Sequence, residues 1–255
     1  MKIESKQFLL LIVLILALLI SCAKKKIVNI SYNPEEDFNR ALKLFESKHY
    51  NKAIEMFQNV LFNYPGTSYA GDAQFYIANA YFMKKSYRDA IYEFEFFIKS
   101  FYGNQYLEEA YYKLALCYFY LAPTVIRDQS FLYKTLEIFE ELEERFPETQ
   151  YADEILKIKR EIAERWAQKE FIIGELYYKA GEFNSAEVYF KYLRDNFPST
   201  KWAERSIYLL GQIYEKKDSL DKAINFYQTL LNSTETDTAI KKLAQFRLKQ
   251  LGVNQ

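Results

Sequence analysis

Apolar residues recur three and four positions apart along most of the chain, the spacing of one helix face and not of a strand. One stretch breaks this pattern: Phe8 to Ile20 is an apolar run of 13 residues behind Lys2 and Lys6. From residue 34 onward the spacing predicts helices over 34–47, 50–63, 68–84, 87–100, 105–121, 131–145, 150–180, 183–196, 200–217 and 220–232. A last helix is predicted over 236–251. Seven Gly and five Pro in 255 residues favour long helices over a turn-rich β architecture.

The helices repeat in pairs. In the second member of each pair a small residue stands four before an aromatic: Ala53/Phe57, Ala90/Phe94, Thr135/Phe139, Ala186/Phe190 and Ala223/Tyr227. The first member carries a small residue three before a large one, as in Ala41/Leu44, Gly174/Tyr177 and Gly211/Tyr214. Small residues let two helices approach closely, and the aromatic fills the gap to the next pair. Pro65, Pro147 and Pro198 stop three of the second helices, and Thr or Ser residues after each of them are placed to cap the next helix. Two features interrupt the period: an enlarged loop over 122–130 in the third pair, and a helix of about thirty residues opening the fourth. The fold class is therefore all-α, a superhelical solenoid of about five hairpins closed by a C-terminal capping helix.

Composition changes this picture in two ways. Lys+Arg and Asp+Glu both number 34, so the net charge is zero, which excludes nucleic-acid binding by bulk attraction and a highly charged disordered tail. Aromatics make up 18% of the chain, more flat surface than a small core requires. One His and two Cys leave too few soft ligands for a Cys/His zinc site, and no cofactor is expected beyond a covalent lipid.

That lipid follows from the start of the chain. Thirteen apolar residues suit the core of a secretory signal better than a membrane span. The run ends in Leu19-Ile20-Ser21-Cys22, which resembles a bacterial lipobox, where cleavage precedes a cysteine that carries the acyl chains. Residues 1–21 are read as signal peptide and 22–33 as lipidated Cys22 and tether. Several acyl chains on Cys22 would anchor the protein stably. No Asp follows Cys22, which by resemblance to Gram-negative sorting favours the outer membrane. Cys117, among Leu114, Ala115 and Leu116, is expected to be a small buried hydrophobe.

The paired pattern looks like the tetratricopeptide (TPR) repeat, five times over. Together with the lipobox, the Arg127-Asp128-Gln129 segment in the third unit, Arg145-Phe146-Pro147 and the long fourth-unit helix, it resembles the BamD family. These are the TPR lipoproteins of the outer-membrane β-barrel assembly machinery. Phe101-Tyr102 in place of Tyr-Pro, and Thr135 in place of Ala, depart from the pattern at units two and three. The resemblance implies a periplasm-facing, non-enzymatic scaffold that receives unfolded outer-membrane proteins and contacts the barrel-forming, BamA-like subunit. It divides the chain into 34–121, a substrate-binding half, then the insertion loop 122–130, then 131–251, a partner-binding half.

In a TPR array the first helix of each unit lines the concave groove at fixed positions. Transferred to this sequence, they give a groove of Phe38, Phe45, Phe75, Phe82, Tyr112 and Phe119 in units one to three, with Met83 and Tyr120 beside them. Such a row suits an extended, aromatic-ended ligand like the C-terminal strand of a nascent barrel protein. Aromatic stripes at helical spacing also arise as plain core. The same transfer gives Glu175, Tyr178, Arg205, Tyr208, Glu215 and Lys216 in units four and five, a more charged set for a folded partner. An enzyme is not expected: His49 is the sole histidine, there is no phosphate-binding Gly-rich loop, and Glu140, Glu141, Glu143 and Glu144 form the polar side of an amphipathic helix. The competing readings are a periplasmic TPR adaptor of another envelope complex, of the cell-wall synthesis and constriction type, and a surface lipoprotein that binds external ligands.

Overall fold

The computed structural model describes residues 33–253, apart from 126 and 235. The leader, Cys22 and most of the tether lie outside the described residues. Among the described residues there are eleven helices and no strand: α1 Pro34–Glu46, α2 Tyr50–Asn63, α3 Ser68–Met83, α4 Tyr87–Ser100, α5 Leu107–Leu121, α6 Ser130–Arg145, α7 Ala152–Lys179, α8 Phe183–Asn196, α9 Lys201–Lys216, α10 Leu220–Asn232 and α11 Thr238–Gln250. They form the expected solenoid of five hairpins, α1/α2 to α9/α10, with α11 as cap. At 28 residues α7 is the longest, about 42 Å at 1.5 Å per residue.

The small residues do what the pattern requires. A β-carbon on Gly174 would lie 2.8 Å from the Phe190 ring, and one on Gly211 would lie 2.5 Å from Tyr227. The five plug aromatics Phe57, Phe94, Phe139, Phe190 and Tyr227 are all fully buried. Thr135 keeps its register in place of Ala because its hydroxyl donates to the Phe131 carbonyl at 2.8 Å, so no polar atom is stranded in the core. Cys117 is fully buried, and burial pushes its thiol up to about 12, as a packing residue without a thiolate role.

Turn chemistry departs from the sequence reading at two places. Thr67 does not cap α3: its hydroxyl donates to the Tyr64 carbonyl at 2.8 Å. Thr149 ties units instead, donating to Glu108 Oε1 at 2.6 Å, and α7 starts two residues later than expected. Thr200 does cap, accepting from the Ala203 N–H at 3.3 Å. Within units one, two, four and five the helices are joined by one shared turn, with a left-handed residue at Lys48, Lys85, Gly181 and Asp218. In each, the N–H of that residue bonds the carbonyl three back and the next N–H bonds the carbonyl five back.

Curvature follows from which helices meet. The first helices of successive units approach one another, α1 to α3, α3 to α5, α7 to α9 and α9 to α11, whereas no two successive second helices do. The first helices therefore line the inner side of the curve and the second helices fan out on its outer side. This inner row is broken once: α5 and α7 have no Cα atoms within 8 Å. Side chains bridge that joint, with Phe119, Leu132 and Ile162 packed beside Trp166 and the Arg165 guanidinium 4.6 Å from the Phe119 ring centre.

Candidate functional site

The inner side of units one to three is a continuous field of rings. Tyr76 on α3 is its hub, with Phe45, Phe57, Phe38, Phe75 and Tyr106 all within 5.7 Å of its ring centre. Three of the six expected groove aromatics lie beneath this surface. Phe38 is 7% exposed against Phe57 and Tyr69, and Phe75 is 1% exposed, stacked on Tyr106 at 4.4 Å. Phe119 is 6% exposed and fills the joint between α5 and α7. Their expected exposure is corrected because neighbouring helices cover them: Phe38 turns to Phe57 on α2 and Tyr76 on α3, Phe75 to Phe94 and Phe97 on α4, and Phe119 to Leu132 on α6 and Ile162 on α7.

Phe45, Phe82 and Tyr112 are half-buried and reach the surface, with Met83 and Tyr120 exposed near them. Phe82 packs against Tyr87 and Tyr120, and Tyr112 stacks face to face on Tyr151 at 4.1 Å. Among them sits a charge that the position rule passes over. Lys113 Nζ donates to Asn79 Oδ1 at 2.8 Å, pairs with Glu109 at 2.6 Å, and lies 5.6 and 5.7 Å from the Phe75 and Phe82 ring centres. Cations over ring faces are attracted by the ring quadrupole, so Lys113 knits α3 to α5. Its signal was absent from the sequence because Asn79 belongs to the previous unit. The patch offers rings for an apolar or aromatic side chain and donors for a carbonyl or carboxylate.

In the C-terminal half the structure brings Tyr178 and Tyr208 together through Gln212. The Tyr178 hydroxyl donates to Gln212 Oε1 at 3.0 Å, and Gln212 Nε2 donates to the Tyr208 oxygen at 3.3 Å. Burial raises both phenols above their ordinary range. Arg205 and Lys216 are exposed, over the rings of Trp202 and Phe183 at 5.3 and 5.5 Å, and Glu175 pairs locally with Lys179 at 2.8 Å. Glu215 is corrected: it is not a free carboxylate. It accepts from Arg247 Nε at 3.0 Å, from Arg247 Nη2 and from the Tyr227 hydroxyl at 2.5 Å, so it latches α11 onto the array. Arg247 is the other half of that latch.

Residues 31–245 match the outer membrane lipoprotein family YfiO. The chain belongs to that family. The YfiO match runs from just before α1 into α11, so it covers every hairpin of the array. The outer membrane protein assembly factor BamD of Rickettsia prowazekii (strain Madrid E) is 30% identical over 194 residues, covering 76% of this chain and 77% of that protein. Among solved structures, the TPR2AB domain of yeast Sti1 in its pHSP90 complex aligns with TM-score 0.49 at 14% identity, over 86% of this chain and 85% of that one. A TPR repeats protein from Bacteroides fragilis aligns with TM-score 0.44 at 17% identity, over 87% of this chain and all of that one. No helix among the described residues of this YfiO chain is long and apolar enough to cross a membrane.

Proposed function

We propose that this protein is a non-catalytic scaffold of outer-membrane β-barrel assembly, held by acyl chains on Cys22 and facing the periplasm. Units one to three receive the unfolded client. Phe45, Phe82, Tyr112 and Tyr120 take its aromatic side chains, with Lys113 beside them for its carbonyl or carboxylate groups. Tyr178, Arg205, Tyr208, Lys216 and Glu175 face a folded partner, the barrel-forming subunit. The division into a client half and a partner half is functional, since α5 and α6 on either side of the 122–130 loop form one hairpin.

The observation that carries this reading is the YfiO match over 31–245 on a chain whose inner helix row presents Phe45, Phe82, Tyr112 and Tyr120 at its surface in units one to three. The break in that row between α5 and α7 supports two binding regions over one. Affinity purification of the full-length protein from detergent-solubilised membranes tests it. A large β-barrel subunit is expected in the eluate. Recovery of cell-wall enzymes in its place, or cleavage of the protein by protease added to intact cells, contradicts the reading.

A further inference from the structure

The edge of the array at which α1 begins is unlike the rest of its surface. Each hairpin returns the chain to the side it came from, so every turn between one unit and the next lies on this edge. In the first two such turns, residues 62–69 and 99–106, Lys99 is the only charged side chain and there is no carboxylate. Large rings stand out beside them: Phe62 is 85% exposed, Tyr102 78%, and Phe96, one turn before the end of α4, is also exposed. The turns are neighbours, since Gly66 to Tyr69 and Ser100 to Gln105 wall one shallow cleft. Asp72, inside that cleft, is occupied by Asn104 Nδ2 at 2.7 Å and Gln105 Nε2 at 3.3 Å. The third and fourth turns of the same edge differ, with exposed Arg145 and Glu148, then Asp195 and Lys201.

The tether joins the array on this edge. Cys22 precedes Asn33 by eleven residues, a reach of at most about 40 Å when extended. We infer that the edge formed by residues 62–69 and 99–106 lies on the headgroup layer of the membrane that holds the acylated Cys22, with Phe62, Phe96 and Tyr102 immersed at the interface and Lys99 among the phosphates. This rests on the lipid anchor proposed above. Aromatic rings partition to the zone between hydrocarbon and water, and a second weak membrane contact beside an anchor fixes orientation at little ordering cost. Glu35 and Glu36 are exposed at the start of α1 on the same edge, with Glu36 bonded to Arg40 at 3.0 Å. They keep the contact shallow. Docked in this way, the array stands on edge and its inner row stays open to a client. The rival face is the opposite edge, where Lys48, Lys52 and Lys84 cluster around His49.

The test uses the full-length protein with its own anchor in vesicles of phosphatidylethanolamine and phosphatidylglycerol that carry a nitroxide on the acyl chain. With Cys117 fully buried and Cys22 acylated, Ser68→Cys, Ser100→Cys or Lys84→Cys each supplies the one reactive thiol for an environment-sensitive fluorophore. Labels at 68 and 100 are expected to emit to the blue and to lose emission to the nitroxide, with no loss at 84. The pattern should persist in high salt and vanish with Phe62→Ser and Tyr102→Ser together. Emission at 68 and 100 that ignores the nitroxide, or loss at 84 alone, overturns the inference. The mass of the N-terminal peptide is read on the same sample. An acylated Cys22 without quenching defeats the edge contact and leaves the anchor standing, whereas an unmodified Cys22 defeats both.

Discussion

Gly211 on α9 and Tyr227 on α10 approach so closely that a β-carbon on residue 211 would lie 2.5 Å from the ring. The ring cannot retreat, because its hydroxyl is bonded to Glu215 and its faces are in the core. Gly211→Ala gains up to about 1 kcal/mol of helix preference. Overpacking is expected to outweigh it, with a net loss of roughly 1–2 kcal/mol. Urea unfolding of the variant checks the sign: a midpoint above that of the parent would mean the contact is soft.

Hairpin geometry was legible in the sequence because each small/large pair lies within one unit, where spacing alone decides what meets. The helix bounds agreed to within two residues for the same reason. Legibility failed where partners lie in different units. Glu215 carries no local sign that Arg247, 32 residues on, will claim it. Phe38, Phe75 and Phe119 sit at the same periodic positions as Phe45, Phe82 and Tyr112, and only the packing of neighbouring helices separates covered rings from open ones.

The Glu215 latch makes the cap depend on one carboxylate. Glu215→Ala leaves the Arg247 guanidinium and the Tyr227 hydroxyl without their partner in a partly buried site, a loss of roughly 2–3 kcal/mol. Amide hydrogen exchange should show α11 and α10 losing protection first, with α1 to α6 unchanged. Uniform loss across the array would contradict a local latch.

Glu187 ties unit four to unit five and sets an acid limit. Burial alone would raise its carboxyl, but hydrogen bonds from Lys191, Lys217 and Tyr214 hold it down at about 2, below its ordinary 4.5. A carboxyl depressed in the folded state contributes stability above its unfolded value and loses it on protonation. The contribution is therefore complete above pH of about 4.5 and disappears as pH falls towards about 2. Glu187→Gln should flatten this part of the stability-against-pH curve, and an equally steep curve would assign the acid sensitivity elsewhere.

The shared hairpin turn predicts a gain from substitution. Lys85 holds φ of 61°, where a β-carbon is strained, while Gly181 occupies the equivalent place in unit four. Lys85→Gly should raise stability by about 0.5–1 kcal/mol, and Gly181→Lys should lower it by a similar amount. Thermal unfolding of the two single variants measures both, and shifts of the same sign would refute the turn argument.

The open rings of the inner row are proposed to hold an aromatic-ended client segment. Titration of the full-length protein with a synthetic C-terminal strand peptide of a barrel protein tests it most directly, comparing the parent with Phe82→Ala and Tyr120→Ala combined. The double variant is expected to lose affinity by about tenfold or more while its melting transition stays cooperative. Unchanged affinity in a folded double variant would contradict it.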